Sequence, residues 1–222
     1  IEGLETVSSA CDRYTTGTTD AFAGINGDFF NISAHKEFPI GAPRGGCASE
    51  GIIQREPRSM EWAFAAIDDN NKPILDNMAF SGSVVSLKAP IASYTFNDVN
   101  LPRTDCYSCD MTFYNEFAGG YTRMDENAEI GDKLKTEVFF KLADGQAWKI
   151  NSPITCIVTR IIKDTEGKNA LKPGEAALSG IDQAKGFLDK LTVGQKLKIN
   201  MTIKTAGNET PAIREMIGGN YL

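Results

Sequence analysis

Residues 61–77 read EWAFAAIDDNNKPILDN, and their pattern predicts a β-hairpin. Alternate residues from Ala63 to Ile67 are apolar and fall on one face of a strand. The following run, residues 68–72, is rich in Asp and Asn and favours a turn. Residues 73–76 then predict the returning strand. The strand period and the turn chemistry of this segment therefore indicate the same hairpin.

Further strands are predicted on the C-terminal side of the hairpin. Residues 154–164, ITCIVTRIIKD, are so rich in β-branched side chains that they predict a buried strand. The other predicted strands are a pair split at Pro90 within GSVVSLKAPIASYTFNDVN (82–100), DMTFYNEF (110–117), TEVFFKLA (136–143) and QKLKINMTIK (195–204).

Residues 175–191, EAALSGIDQAKGFLDKL, carry the best helical pattern in the chain. Ser179 is a plausible N-cap, with Gln183 near capping-box range. The apolar residues at helical spacing predict a core-facing stripe. They are Ile181, Ala184, Phe187, Leu188 and Leu191.

Two shorter segments complete the fold prediction. SSACDRY (8–14) predicts a short helix, and Gly218-Gly219 suggests a turn near the C-terminal end. The predicted fold class is α+β, with a strand-dominated mixed sheet and a few flanking helices. Residues 1–222 are assigned to one domain.

Bulk properties exclude several functions. With 222 residues and a formal net charge of −6, the chain offers no broad basic surface for nucleic acid. No apolar run reaches the roughly 20 residues that a membrane-spanning helix needs. Five cysteines include one CxxC, Cys106 to Cys109, which predicts either a local disulfide or two free thiols. No His/Cys/Asp cluster has metal-ligand spacing, so no metal ligand is predicted and metal use stays open. No other cofactor is predicted.

Residues 21–30, AFAGINGDFF, place one acid between a turn and two aromatic rings. Asn26-Gly27 is a strong hairpin signal, and Asp28 is then simply the first residue of the returning strand. Alternatively, the turn presents backbone N–H groups and the Asp28 carboxylate to a ligand, which Gly27 allows to approach closely. In a strand, Phe29 and Phe30 point to opposite faces, one into the core and one towards a cleft.

Residues 31–60 are rich in Gly, Pro and charge and predict a long loop. His35, Arg44 and Glu50 are its candidate functional side chains. Each can also be an ordinary surface residue without a functional role, since a lone histidine or arginine in a polar loop commonly faces solvent.

Several segments, taken in order, resemble the phosphodiester glycosidase family, which includes the lysosomal "uncovering enzyme". AGINGDFF resembles the family's A-x-N-G-G-F-F signature, with Asp28 in place of the second glycine. GAPRGGCASEGIIQ (41–54) resembles the Pro/Gly loop that follows. Residues 175–199 resemble a later helix–turn–strand unit, and MIGGNYL (216–222) resembles a Gly-Gly segment. The family's Arg-Thr-Ala-x-Gly and Asp-Gly-Gly-Gly-Ser segments are missing, so the chain is expected to be the first part of such a domain.

The resemblance implies hydrolysis of a sugar-1-phosphodiester by a secreted, periplasmic or cell-surface protein. Catalytic roles fall to Asp28 and Glu50, the acids nearest the motifs. Substrate-binding roles fall to Asn26, Gly27, Phe30, His35 and Arg44. An alternative remains open, in which the same scaffold binds carbohydrate or a cell-wall polymer without cleaving it. The sugar, the aglycone and the oligomeric state are not indicated by the sequence.

Overall fold

The computed structural model describes residues 6–18, 20–21, 30, 43, 45–57, 63–90, 92–103, 110–125 and 133–220. The strands are β1 Gly46–Ser49, β2 Ile52–Arg55, β3 Ala63–Asp68, β4 Pro73–Ser86, β5 Ala92–Phe96, β6 Asp98–Val99, β7 Met111–Tyr114, β8 Lys135–Leu142, β9 Ile154–Thr165, β10 Glu175–Gly180, β11 Lys196–Thr205 and β12 Ile213–Asn220. The helices are α1 Val7–Tyr14, α2 Asp182–Leu188 and a short 3₁₀ turn at Glu116–Ala118.

The predicted strand-dominated mixed sheet is confirmed, but the class is mostly β rather than a clear α+β. The strands form one sheet in the order β2-β1-β12-β3-β4-β11-β9-β8-β10-β7-β6. Strand β5 stands outside this order and pairs with β4. Within the described ranges, β6 and β7 form the one parallel pair. The two α-helices within the described ranges have only eight and seven residues, so these two cannot form a layer of their own.

The predicted hairpin at residues 61–77 is confirmed as β3 and β4. Asp68 fixes its turn, because its Oδ1 accepts hydrogen bonds from the backbone N–H groups of Asn70 and Lys72, each at 2.8 Å. The bond from Lys72 is the main reason why the pKa of Asp68 is lowered. The strand pair split at Pro90 is also confirmed, as β4 and β5.

The long strand β4 connects the two parts of the sheet. Residues 73–77 pair with β3, and residues 78–86 pair with β11. At Gly82 the ring of Phe96 crosses the strand so closely that an added Cβ would lie 2.1 Å from a ring atom. Phe96 is buried and stacks on Phe113, with 5.6 Å between ring centroids.

The two ends of the sheet are joined by side chains. Asn115 donates from Nδ2 to the carbonyl oxygen of Ile53 in β2 at 2.8 Å, and Asn100 donates from Nδ2 to that of Gln54 at 3.0 Å. Asn100 and Asn115 are buried and also bond to each other. The sheet therefore curls until β2 faces the β6–β7 end, and amide side chains replace the missing backbone ladder.

One apolar cluster takes residues from all twelve strands, so the curled sheet surrounds it. The apolar stripe predicted for the helix belongs to this core, because Ala184, Phe187 and Leu188 of α2 pack into it. The ring of Phe187 lies 5.6 Å from that of Tyr94 in β5, measured between centroids.

The predicted start of this helix was wrong. Ser179 lies in β10, where it pairs with both β7 and β8, so the first part of the segment is a strand. The helix begins at Asp182, and its N-cap residue Ile181 makes no side-chain cap. Asp110 supplies that cap from outside the segment, because its Oδ2 accepts a hydrogen bond from the Ala184 N–H at 3.0 Å.

Three further predictions need correction. The loop predicted at residues 31–60 contains the hairpin β1–β2. The strand β9 is not buried throughout, since its residues alternate in burial up to Val158 and become more exposed beyond it. The turn suggested at Gly218-Gly219 is absent, because β12 continues through both residues and pairs with β1 and β3.

Candidate functional site

Two glycine-rich segments meet at one end of β1. Gly46 of β1 pairs with Gly218 of β12. A Cβ added to Gly46 would lie 2.8 Å from a ring atom of Phe64 and 2.9 Å from the backbone nitrogen of Pro57, so a side chain requires a shift of the backbone there. Gly218 has a φ of 120°, a conformation that favours glycine.

A third segment reaches the same end of the sheet. Phe30, the last residue of AFAGINGDFF, forms an isolated β-bridge with Pro43. Pro43 stands three residues before Gly46, a distance of at most about 10 Å along the chain. Phe30 is 40 % exposed, so part of its ring is available to a ligand. We call Phe30, Pro43, Gly46 and Gly218 the Gly46 end of the sheet.

The structure places Glu50 away from the Gly46 end. Glu50 and Gly51 form the tip of the β1–β2 hairpin, with φ values of 53° and 75°. The Glu50 N–H donates to Oε1 of Glu215 at 3.1 Å, and the residue is exposed. Glu50 lies four positions after Gly46, which is roughly 13 Å along an extended chain. Of the predicted site residues that are described, Phe30 lies at the Gly46 end and Glu50 does not.

The remaining predicted site residues lie outside the described ranges. They are Asn26, Gly27, Asp28, His35 and Arg44. The CxxC cysteines, Cys106 and Cys109, lie outside these ranges too.

A buried ionic cluster lies on the outer face of β8 and β10. Arg103 Nη1 is 3.1 Å from both carboxylate oxygens of Asp125, and the Arg103 N–H donates to the same carboxylate. Lys135 Nζ lies 3.2 Å from Asp125 Oδ2. Arg103 also donates to the carbonyl oxygen of Ser179 in β10. The three charged side chains are at most 1 % exposed, so the cluster fixes residues 101–103 and 122–125 against the sheet.

Burial dominates the protonation chemistry of this cluster. It lowers the pKa of Lys135, and the adjacent Asp125 carboxylate opposes that shift most strongly. The nearby Tyr114 hydroxyl donates to the carbonyl oxygen of Leu101 at 2.9 Å, and burial raises its pKa far above the ordinary value.

Three buried polar atoms beside the cluster form no hydrogen bond with any of the described residues. They are Thr112 Oγ1, Ser179 Oγ and Glu137 Oε1, on residues that are paired across β7, β10 and β8. The other carboxylate oxygen of Glu137 accepts from Thr122 Oγ1 at 2.9 Å and from Asn169 Nδ2 at 2.8 Å.

Sequence reasoning missed this polar layer. Lys135 and Glu137 alternate with Thr136 and Val138 in β8, and charged residues at every second position of a strand ordinarily mark a solvent-facing side. The signal that could have revealed burial is Phe139, which continues the same face as a large apolar residue.

No metal centre is formed by the described residues, in which no group of three or more His, Cys, Asp or Glu side chains could hold an ion. In the same part of the chain, neither α-helix is long and apolar enough to cross a membrane. Burial raises the pKa of the Cys156 thiol to about 12, so that thiol is unreactive at neutral pH.

Comparisons with known proteins show a shared fold. No protein family matches the sequence, and no curated protein matches it. A protein of Burkholderia pseudomallei K96243, named a "putative exported protein", has 18% sequence identity and a TM-score of 0.68, with 97% of this chain and 43% of that chain covered. A hypothetical protein from Synechocystis has 15% identity and a TM-score of 0.56, with 89% and 31% covered. The chain therefore spans less than half the length of both structures.

Proposed function

We propose that the protein hydrolyses a sugar-1-phosphodiester, releasing free sugar and leaving the phosphate as a monoester on the other alcohol. One observation carries the proposal: the Gly46–Gly218 pair joins two segments of the family resemblance that are far apart in sequence. The Phe30–Pro43 bridge ties the end of the AFAGINGDFF segment to the same place. If these segments resembled the family only by chance, we would not expect all three to meet at one end of the sheet.

The reaction sets clear demands on such a site. The leaving group is a phosphate, whose second pKa is about 6, so it departs with little protonation. It needs N–H donors or a cation to hold its charge. It also needs a carboxylate that activates water or stabilises the positive charge that develops on the anomeric carbon.

We assign these roles to residues near the Gly46 end in sequence. Asp28 is the proposed carboxylate, and Asn26 with the Gly27 backbone provides hydrogen-bond donors. Arg44 and His35 are the proposed phosphate contacts, and Phe30 forms one wall of the cleft. Glu50 receives no catalytic role in this assignment, because its hairpin tip lies away from the Gly46 end.

We further propose that the protein acts outside the cytoplasm. The support is the Burkholderia pseudomallei protein, which shares the fold and is named as exported. The substrate would then be an extracellular or cell-wall carbohydrate phosphodiester.

The alternative function is a carbohydrate-binding module on the same scaffold. Asp28 favours it, because it stands where the family's signature has a second glycine. Incubation with sugar-1-phosphodiesters separates the two functions. The hydrolase releases free sugar, whereas the binding module gives saturable binding and leaves the diester intact.

Exchange of Asp28 for Gly is the decisive variant, because it restores the residue of the family signature. Loss of sugar release would support Asp28 as the catalytic carboxylate. Retained or improved release would show that Asp28 is not catalytic and that Asn26 and the backbone carry the chemistry.

A further inference from the structure

An apolar hollow of about 510 Å³ lies on the outer face of the sheet, across β1, β12, β3 and β4. Four residues on neighbouring strands line the middle of the hollow, and each of them pairs with the next across the strands. They are Cys47, Ile217, Ala65 and Leu75. Ala65 has a small side chain between two larger ones, so it forms the floor while Ile217 and Leu75 form walls.

Three of the large apolar side chains that are exposed to solvent lie together in the hollow. Leu75 is 83 % exposed, Ile217 is 41 % exposed and Ile67 is 39 % exposed, and all three line it. Contiguous exposed apolar surface on a folded protein commonly marks a binding site. The volume also lies within the range of small-molecule sites, which is roughly 300–1,000 Å³.

The lining offers a ligand almost no hydrogen bonds. Ser49 and Glu215 are its polar side chains, and both lie beside the hairpin tip. Glu215 already accepts a hydrogen bond from the Glu50 N–H. The four strands bond to one another along their backbones. A sugar or a peptide would lose hydrogen bonds to water without replacing them here, whereas a hydrocarbon chain would lose none.

The hollow begins beside the Gly46 end of the sheet. Cys47 and Ile217 form the pair next to Gly46 and Gly218 in the β1–β12 register. A substrate with its phosphate at the Gly46 end would therefore have its aglycone within reach of the hollow.

We propose that the hollow binds the alkyl aglycone of the substrate, so that the preferred substrate is a sugar-1-phosphodiester with a hydrocarbon alcohol. This inference rests on the proposed function for the position of the phosphate. The sugar is held at the Gly46 end and the hydrocarbon chain lies over Ala65.

The first test measures binding without hydrolysis. Methyl, hexyl, octyl and decyl phosphate, each below its micelle concentration, are titrated into residues 1–222 by calorimetry. Affinity should rise about two- to fourfold for each added methylene, the upper value corresponding to about 0.8 kcal/mol for a fully buried CH₂ group. The increase should stop when the hollow is full. Equal affinity for all four phosphates would overturn the proposal.

A matched pair of variants locates the site. Ala65→Phe fills the hollow from its floor, at an exposed strand position where an aromatic residue is compatible with β-structure. Ala92→Phe makes the same change on exposed β5, whose partner Ser86 lies eleven residues from Leu75, roughly 36 Å along strand β4. Ala65→Phe should abolish the chain-length dependence, and Ala92→Phe should preserve it, with both variants keeping the wild-type circular dichroism spectrum. Retained dependence in Ala65→Phe would overturn the proposal.

Hydrolysis assays separate this inference from the function on which it rests. Alkyl binding without any sugar release would refute the proposed function and leave the hollow as a hydrocarbon site. Equal hydrolysis of methyl and decyl diesters, with no chain-length dependence in binding, would uphold the function and overturn the inference. A wild-type dimer in light scattering that Ala65→Phe converts to a monomer would assign the hollow to a second copy and would also overturn it.

Discussion

Replacement of Asp125 by Asn should destabilise the fold strongly, because this carboxylate neutralises two buried cations. Asp125 contacts Arg103 at 3.1 Å and Lys135 at 3.2 Å, and all three side chains are almost fully buried. Asn keeps the size of the side chain but removes its charge, so both cations lose their closest counter-ion.

The expected cost follows from measurements on comparable buried pairs. Removing one partner of a buried ion pair costs about 3–5 kcal/mol, because it leaves an uncompensated buried charge. That is a large part of the roughly 5–15 kcal/mol by which globular proteins are stable. For a chain of this size, the melting temperature should fall by roughly 10 °C. Urea unfolding at about pH 7, followed by circular dichroism, measures the change in the free energy of unfolding.

A surface ion pair provides the control. Lys149 Nζ lies 2.5 Å from Asp69 Oδ2, but the two side chains are 48% and 38% exposed. Exposed pairs contribute at most about 1 kcal/mol, so Asp69→Asn should have little effect. If Asp125→Asn cost no more than Asp69→Asn, the buried cluster would not stabilise the fold and this reasoning would be refuted.

The pH dependence gives a second readout. Burial lowers the pKa of Lys135 in the folded state, and Asp125 opposes that shift, so Asp125→Asn should lower it further. The unfolded chain then binds more protons than the folded one between the lowered pKa and the ordinary value of 10.5. Stability rises with pH in that window. The deficit of Asp125→Asn relative to wild type should therefore shrink as the pH rises through the lowered pKa of Lys135 towards 10.5.

Three substitutions test other parts of the fold by the same unfolding measurement. Thr112→Val should stabilise by about 1 kcal/mol, because it removes a buried hydroxyl that has no hydrogen-bond partner among the described residues; destabilisation would show that the hydroxyl is satisfied in solution. Gly82→Ala should cost at least about 1–3 kcal/mol, since the new Cβ would lie 2.1 Å from the Phe96 ring; a neutral result would contradict that packing. Asn115→Ala should cost about 1–3 kcal/mol by leaving the Ile53 carbonyl without its donor, and an unchanged midpoint would argue against side-chain closure of the sheet.

The local sequence pattern predicted an element correctly where the contacts in the folded protein favour the same structure. The β3–β4 hairpin was predictable because an apolar run, an Asp- and Asn-rich turn and a returning run follow one another, although Phe64 and Ala66 form its buried face and the alternate residues Ala65 and Ile67 are exposed. The core stripe of α2 was predictable from its spacing, since Phe187 and Leu188 stand three and four residues after Ala184 and all three pack into the core. Ser179 was mispredicted because ladder partners from β7 and β8, distant in sequence, override the local helix signal.

Long-range contacts account for what the sequence could not reveal. The alternation in β8 identifies Lys135 and Glu137 as one face, but nothing local says that other segments cover that face. Likewise, Gly46 and Gly218 each read as ordinary loop or turn glycines, and only the β1–β12 pairing places them together. The Gly46 end and the buried ionic cluster both depend on contacts of this kind.

The most direct test of the proposed function follows the hydrolysis of sugar-1-phosphodiesters by phosphorus NMR in water enriched in oxygen-18. Attack on the anomeric carbon predicts free sugar and phosphomonoester in equal amounts, with no oxygen-18 in the phosphate. Asp28→Asn should reduce the rate at least about 100-fold, the low end for loss of a general base, with an unchanged melting temperature. Absence of turnover, or oxygen-18 in the phosphate with release of a sugar phosphate, would contradict the account.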